Sequence, residues 1–132
     1  MIEHIAIWTR NLEEMKAFYC SFFHGCAHEK YVSRSVMHPG FESYFISFGD
    51  GCRLELMHLP DMPDGDAGDR NKRMGLAHVA FSMKTREQVG ALVVKAGEMG
   101  LPVLQEPRMT GDGYYEACML DPEGNLVEIT AP

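Results

Sequence analysis

The sequence has 132 residues, a formal net charge of −7 and a hydrophobic content of 45%. This length and composition suffice for one domain with a real core. The acidic balance excludes a basic surface of the kind that tracks nucleic-acid phosphates, and no apolar run approaches the length of a membrane span. We therefore expect a cytoplasmic protein with neither a nucleic-acid nor a membrane partner.

The first half of the chain predicts a strand, a helix and three strands. Alternation predicts a strand over 1–9 with His4 and Trp8 on one face. Asn11 is a good N-cap for an amphipathic helix over 12–23, and Gly25 is the expected left-handed stop. The three strands that follow are an edge segment over 26–34 and the runs 41–48 and 52–59.

The last strand of this half carries a carboxylate in its middle. Glu55 alternates with Leu54 and Leu56, so it points away from the helix when the two leucines pack against it. The segment 60–74 is dense in Asp, Gly and Pro and lacks apolar periodicity. We interpret it as a linker that joins two modules of a single domain, 1–59 and 75–132.

The second half repeats the same order of elements. A strand that begins at Gly75 contains His78, and Thr85 caps a helix over 86–99. A short strand over 102–105, a loop over 107–113 and a strand over 114–120 follow. The corner 121–125 then leads into an apolar run that holds Glu128.

Two residue types recur at matching places in the two modules. His78 corresponds to His4 and Glu128 to Glu55, at offsets that differ by one residue. Imidazole and carboxylate together suit a divalent ion, so the four residues form a candidate metal site. The expected ion is one zinc, nickel or cobalt per site, with iron or manganese as alternatives.

The four cysteines form no CxxC pair, and we expect them to be reduced. Cys52 and Cys118 fall in predicted strands, where a small buried thiol is common. Packing is therefore the better interpretation for both.

The paired modules resemble the vicinal-oxygen-chelate superfamily, which includes glyoxalase I, methylmalonyl-CoA epimerase, extradiol dioxygenases and antibiotic-resistance proteins. The resemblance rests on NLEEMKAFY at 11–19, GLAHVAF at 75–81 and DPEGNLVE at 121–128. It implies an α+β fold in which two repeated βαβββ modules form a cup-shaped eight-stranded mixed sheet. The helices would lie outside and the metal on the concave face.

The ligand pattern of the superfamily divides its members. Glyoxalase I enzymes present His, Glu, His and Glu where this chain has His4, Glu55, His78 and Glu128. Extradiol dioxygenases use two His and one Glu, epimerases commonly carry Gln in place of Glu55, and bleomycin-binding members lack the set. The resemblance thus implies a metal-dependent lyase of the lactoylglutathione lyase type.

The same resemblance implies a mechanism. Glu128, or alternatively Glu55, would move a proton between adjacent carbons of a 2-oxoaldehyde–thiol adduct through a metal-stabilised enediolate. Trp8 and Leu59 stand where glutathione-dependent members often carry Arg and Asn, which argues against glutathione as the thiol. Candidate substrate-binding residues are Trp8, Arg10, Arg108, Tyr114 and Tyr115.

Two other classes of function stay open at this point. The same fold supports another metal-dependent enzyme, such as a dioxygenase, epimerase or thiol transferase, or a protein that only binds a small molecule. We expect a homodimer in which His4 and Glu55 of one chain meet His78 and Glu128 of the other, although the modules could also pair within one chain.

Overall fold

Each half of the chain folds as a mixed β-sheet with one helix packed on it. The computed structural model describes residues 2–49, 51–63, 75–111 and 113–132. The chain divides into two compact units, Met1–Gly65 and Asp66–Pro132. Most of the predicted linker, residues 64–74, lies outside the described residues.

The described residues of the first unit form one helix and five strands. They are β1 (His4–Trp8), α1 (Leu12–Phe22), β2 (Cys26–Ala27), β3 (Tyr31–Val32), β4 (Glu42–Ser47) and β5 (Arg53–His58). The sheet has the order β1-β5-β4-β2, and β3 also pairs with β4. β1 runs parallel to β5, whereas the other pairs are antiparallel.

The core of this unit lies between α1 and one face of the sheet. Asn11 caps α1 as predicted, because its side chain accepts a hydrogen bond from the Glu14 amide at 3.1 Å. The buried helix stripe consists of Leu12, Met15, Phe18, Tyr19 and Phe22. Leu54 and Leu56 are buried on the facing strand, as expected from their alternation with Glu55.

The end of α1 differs from the prediction. His24, not Gly25, has the positive φ, at 57°. His is one of the residues that enter the left-handed region more readily than most. Gly25 is needed for space instead, since an added Cβ there would lie 2.5 Å from Cγ2 of Ile46 and 2.8 Å from Cε1 of Phe48.

The predicted edge segment 26–34 forms two short strands. Ala27 pairs with Ile46 and Tyr31 with Ser43, which leaves one extra residue on the edge side between the two ladders. An extra residue of this kind interrupts pairing and bends the strand. The described residues of both units therefore hold nine strands rather than the eight expected, in two separately described sheets.

The second unit has the same topology. It contains β6 (Val79–Ser82), α2 (Arg86–Glu98), β7 (Val103–Met109), β8 (Tyr115–Leu120) and β9 (Leu126–Ala131). The order is β6-β9-β8-β7, with the first strand again parallel to the last. Thr85 caps α2 as predicted, in a complete capping box with Gln88. The α+β fold with two modules of the βαβββ type is confirmed.

The predicted loop over 107–113 is wrong in its first part. β7 continues through Pro107 to Met109 and pairs with β8 in an irregular register. β7 is the edge strand of its sheet, so the missing amide hydrogen of Pro107 removes no ladder bond on the open side. Proline therefore did not end the strand.

The corner before β9 is held by a buried carboxylate. Asp121 accepts hydrogen bonds from the amides of Glu123 at 3.0 Å and Asn125 at 2.9 Å, and from the Asn125 side chain at 2.8 Å. Gly124 takes a φ of 81°. This corner orients the strand that carries Glu128.

Two further properties follow from the described residues. No helix among them is long and apolar enough to cross a membrane. All four cysteines are free thiols, and Cys52 is exposed just before β5 rather than buried as predicted, because the strand begins one residue later.

We predict that replacing two different glycines with alanine has opposite effects on the free energy of unfolding. Gly25→Ala should lower the free energy of unfolding by about 1–3 kcal/mol, because the new methyl group overpacks against Ile46 and Phe48. Gly90→Ala, in the middle of α2 with nothing within 4 Å, should raise it by about 0.5–1 kcal/mol. Urea unfolding of both variants measures the two effects. Equal shifts would contradict the packing role of Gly25.

A polar cluster between α1 and the sheet leads to a pH prediction. Lys16 lies 2.9 Å and Lys30 3.1 Å from carboxylate oxygens of Glu13, and the Tyr44 hydroxyl donates to Glu13 at 3.1 Å. These contacts, first among them the hydrogen bond from Lys16, lower the pKa of Glu13 from 4.5 to about 2.

Because this pKa is depressed, the stabilisation is present above pH 4.5 and is lost as pH falls towards 2. The Glu13→Gln variant should therefore be less stable than the parent protein at neutral pH. The difference should be no more than about 1 kcal/mol, because the ion pairs of Glu13 are exposed to solvent. The difference should vanish on acidification. Glu14→Gln removes the same charge from the same helix turn, and an identical pH profile for both variants would contradict the role of the cluster.

Candidate metal centre

The first unit brings one histidine and one glutamate together on the open face of its sheet. β1 and β5 are parallel, and their register sets Ala6 opposite Glu55. His4 lies two residues before Ala6, so its side chain emerges on the same face. His4 Nε2 and Glu55 Oε2 are 3.6 Å apart.

The second unit repeats this arrangement with the same atoms. β6 and β9 are parallel, and Ala80 lies opposite Glu128. His78 lies two residues before Ala80, immediately ahead of β6. His78 Nε2 and Glu128 Oε2 are also 3.6 Å apart. In both units a small alanine lies beside the carboxylate.

The separation within each pair suits metal ligation. At 3.6 Å the nitrogen and oxygen are too far apart for a good hydrogen bond. Two ligand atoms that each lie about 2.1 Å from a zinc-like ion, at a tetrahedral angle, are about 3.4 Å apart. The donor types also fit, because imidazole nitrogen and carboxylate oxygen are ordinary ligands of zinc, nickel, cobalt, iron and manganese.

His4 has a second polar partner that favours ligation through Nε2. Its Nδ1 hydrogen bonds to the carboxylate of Glu3, and this contact, followed by those to Arg53, lowers the pKa of Glu3. A carboxylate that holds Nδ1–H leaves the lone pair on Nε2, which faces Glu55. The ring of His4 also meets Phe45 edge-on at 5.2 Å. These contacts orient the first pair.

Arg53 completes the support around His4. Its Nε donates to Glu3 at 2.7 Å, and its guanidinium lies 4.2 Å from the ring centre of Phe45. A guanidinium held by a carboxylate and stacked on a ring has little freedom left. Arg53 therefore restrains Glu3, and through it His4.

The second pair has a different surrounding. Ala77 occupies the position that Glu3 has in the first unit, so His78 has no equivalent carboxylate beside it in the chain. Cys118 lies opposite Glu128 on β8, where the first unit has Phe45 opposite Glu55. Burial, and then the charges of Glu128 and Glu116, raise the pKa of the Cys118 thiol. Cys118 is thus a neutral neighbour of Glu128.

Each His–Glu pair is described within its own unit. Across the described ranges, no group of three or more His, Cys, Asp or Glu side chains has an arrangement that could hold a metal ion. His4 lies with Glu55 and His78 with Glu128, each pair within its own unit. The association of all four residues with one ion remains a prediction.

The candidate substrate-binding residues fall in different places. Trp8 shares the open face of the first sheet with His4 and is 45% exposed, and Arg10 lies in the turn before α1.

In the second unit, Arg108 pairs with Glu116 on the open face of the sheet. Tyr114 is exposed just before β8. Tyr115 lies on the opposite, helix-facing side, where the guanidinium of Arg86 is 5.6 Å from its ring centre.

Arg108 belongs to a polar row that sequence reasoning missed. Its guanidinium donates to Gln105 at 3.2 Å, and Gln105 donates to Glu116 at 3.4 Å. Thr130 pairs with Glu116 and with Ser82, so the row crosses all four strands. Glu3, Arg53 and Phe45 were missed in the first unit. Strand register brings Arg53, Phe45 and Glu116 to these positions from distant segments, whereas Glu3 directly precedes His4 and could have been noticed in the sequence.

Comparison with known proteins supports the fold. A glyoxalase family protein from Bacillus cereus superposes with a TM-score of 0.82 at 16% identity, covering 98% of this chain and 92% of that one. The trypanothione-dependent glyoxalase I of Leishmania major superposes with a TM-score of 0.72 at 19% identity, covering 99% and 86%. At these identities the likeness shows the shared fold.

A sequence relative is the uncharacterized protein YqjT of Bacillus subtilis strain 168. It is 36% identical over 63 residues, which is 46% of this chain and 49% of YqjT. The match thus spans about half the length of that relative. The family model of the glyoxalase, bleomycin resistance protein and dioxygenase superfamily matches residues 1–129, which confirms the resemblance drawn from the motifs. The chain belongs to the Glyoxalase/Bleomycin resistance protein/Dioxygenase superfamily.

Proposed function

We propose that this chain is a metal-dependent lyase or isomerase of the glyoxalase I type. In this proposal His4, Glu55, His78 and Glu128 bind one divalent ion, either within a chain or across a homodimer. The observation that carries the proposal is the duplication of the His–Glu pair. The same two atoms face each other at the same 3.6 Å in both units, in equivalent strand registers.

The duplication favours function over coincidence. A carboxylate on the exposed face of a strand needs only water, so its pairing with a histidine in one unit would carry little weight. Both carboxylates are instead mostly shielded, with Glu55 14% and Glu128 19% exposed. Partly buried carboxylates require a compensating partner, and a cation between each pair would provide one.

The proposed reaction moves a proton between adjacent carbons of a 2-oxoaldehyde–thiol adduct. When bound, a divalent ion supplies Lewis acidity that stabilises negative charge developing on the two oxygens of the substrate. A glutamate carboxylate takes the proton from one carbon and returns it to the next. The two histidines would hold the ion in place.

Glu128 is the better candidate for the base. His4 is held by Glu3 and meets Phe45 edge-on, and Phe45 lies opposite Glu55, which favours a fixed pair. The second pair lacks a counterpart of Glu3, and the neighbour of Glu128 is the small thiol of Cys118. A less restrained carboxylate can move towards a carbon atom more easily, so we assign the base to Glu128 and the ligand role to Glu55.

The remaining parts of the proposal concern assembly and substrate. A homodimer in the cytoplasm is proposed, in which each site takes a small molecule with two adjacent oxygens. Trp8, Arg108 and Tyr114 are retained as substrate-binding candidates, together with Arg10. Tyr115 is less suited, since it faces α2 rather than Glu128.

We expect that binding of one divalent ion requires both His–Glu pairs. Metal titration of the purified chain should give about one divalent ion per chain, and His4→Ala or His78→Ala alone should weaken binding more than ~100-fold, beyond the effect of losing an outer partner. His38→Ala, in an exposed loop, is the matched control. A stoichiometry of two that falls to one in each variant would show separate sites and contradict the shared ion.

Replacement of the proposed base should affect turnover above all. With hemithioacetals of methylglyoxal and a panel of thiols that includes glutathione, Glu128→Gln should lower kcat at least ~100-fold and change KM less. Glu55→Gln should have a smaller effect on kcat. Glu106→Gln makes the same chemical change at an exposed position of β7 and should leave kcat unaltered.

The same assays separate the other classes of function. Metal binding without turnover of any hemithioacetal would contradict the lyase proposal. Consumption of dioxygen by the metal-loaded protein would then favour an oxygenase. Ligand binding with neither reaction would favour a protein that only sequesters a small molecule.

A further inference from the structure

The open face of the first sheet carries an apolar cluster beside the His4–Glu55 pair. Register places Trp8, Met57, Ser43 and Tyr31 in one row across four strands. Phe41 lies between the two outer rings, 6.1 Å from Trp8 and 6.1 Å from Tyr31, edge-on to the former. We name Trp8, Tyr31, Phe41 and Met57 the aromatic patch.

The patch is open rather than part of the core. Trp8 is 45% and Tyr31 56% exposed, whereas the aromatic rings of α1 are nearly all buried. Ser43 is small and buried, so it forms a floor between Met57 and Tyr31. Exposed rings gathered on one face, next to a candidate ligand pair, are typical of a small-molecule site.

The patch contains no charge. The four side chains and Ser43 are uncharged, and Arg53, which shares their face of the sheet, is bound to Glu3 and stacked on Phe45. The equivalent row of the second sheet is Ser82, Thr130, Glu116 and Arg108, which is polar throughout. The two copies have therefore diverged at this row while keeping their His–Glu pairs.

Distance along the strands indicates which part of a substrate reaches the patch. Met57 lies two residues beyond Glu55, or about 7 Å, and Trp8 four residues beyond His4, or about 13 Å. A group attached directly to the reacting carbons stays within a few ångströms of the ligand atoms. Only an arm that continues beyond the sulfur of the adduct extends this far.

We propose that the aromatic patch binds an uncharged apolar or aromatic arm on the thiol portion of the substrate. This inference rests on the proposed function, because it takes the His4–Glu55 pair as part of the substrate site. A carboxylate-bearing thiol would bring a charge onto a row whose own side chains are all uncharged. Selectivity for the thiol therefore comes from apolar contact rather than from ion pairing.

A direct binding measurement tests the patch without metal or turnover. Trp8 is the single tryptophan of the chain, so its fluorescence reports on this surface alone. Benzyl methyl sulfide and 3-(methylthio)propionate serve as probes, one aromatic and one charged. The benzyl probe should shift the Trp8 emission and bind at least ~10-fold more tightly, a difference of about 1.4 kcal/mol.

Matched variants locate the effect. Tyr31→Ser, at an exposed position, should lower affinity for the benzyl probe ~5–10-fold, while Leu104→Ser removes a comparably exposed apolar side chain from the second unit and should not change it. Equal affinity for the two probes, or equal effects of the two variants, would overturn the inference. So would an emission shift that follows protein concentration alone, which would show a second copy covering the patch.

Turnover separates this inference from the proposed function. Hemithioacetals of methylglyoxal with benzyl mercaptan should have a kcat/KM at least ~10-fold above those with 3-mercaptopropionate. Benzyl-probe binding with no turnover of either would contradict the lyase proposal and leave the patch standing. A preference for phenylglyoxal over methylglyoxal, with no preference among thiols, would place the apolar group on the aldehyde and overturn the assignment to the thiol arm.

Discussion

The parallel pairing of the first and last strand in each unit is the constraint on which the candidate site depends. In both units this pairing sets an alanine opposite the glutamate and leaves the histidine two residues away on the same face. Because side chains alternate along a strand, a slip of one residue would turn the carboxylate towards the helix. The buried residues on either side of each glutamate prevent that slip, since they are committed to the core.

The two copies share a geometry and differ in their surroundings. The first pair is supported by Glu3, Arg53 and Phe45, and the second lies beside Cys118. The repeat of the module gives two equivalent His–Glu pairs, and the residues around each pair differ. Under the proposed function, the supported pair suits a permanent ligand and the less restrained pair suits a carboxylate that moves.

The rows of side chains next to the two His–Glu pairs differ more between the units than the pairs themselves do. One is aromatic and uncharged, and the other is a hydrogen-bonded series of polar side chains that ends at Arg108. Our proposal assigns substrate preference to these rows and the reaction chemistry to the His–Glu pairs. The fold itself does not choose among lyase, oxygenase and binding protein, because the same scaffold carries all three.

Much of the fold and the identities of the candidate ligands followed from the sequence, for local reasons. Two short-range signals predicted the helices: the caps at Asn11 and Thr85 and the periodicity of the apolar residues. The internal repeat identified His4, Glu55, His78 and Glu128 as candidate ligands. The errors were also local in origin. The sequence predicts the left-handed residue at Gly25, whereas the structure needs a glycine there because a side chain would collide with Ile46 and Phe48. The sequence also predicts a loop from Pro107, whereas the strand continues through this proline at the edge of its sheet.

Tertiary structure alone decided which residues became neighbours. Three contacts depend on strand register between segments far apart in the chain: Glu3 with Arg53, Cys118 opposite Glu128, and Tyr31 in one row with Trp8. The sequence by itself determined which chemical groups are present and which face of each strand they occupy. Register and packing determined what each group meets, because those contacts are made across strands and carry no signature within any one segment.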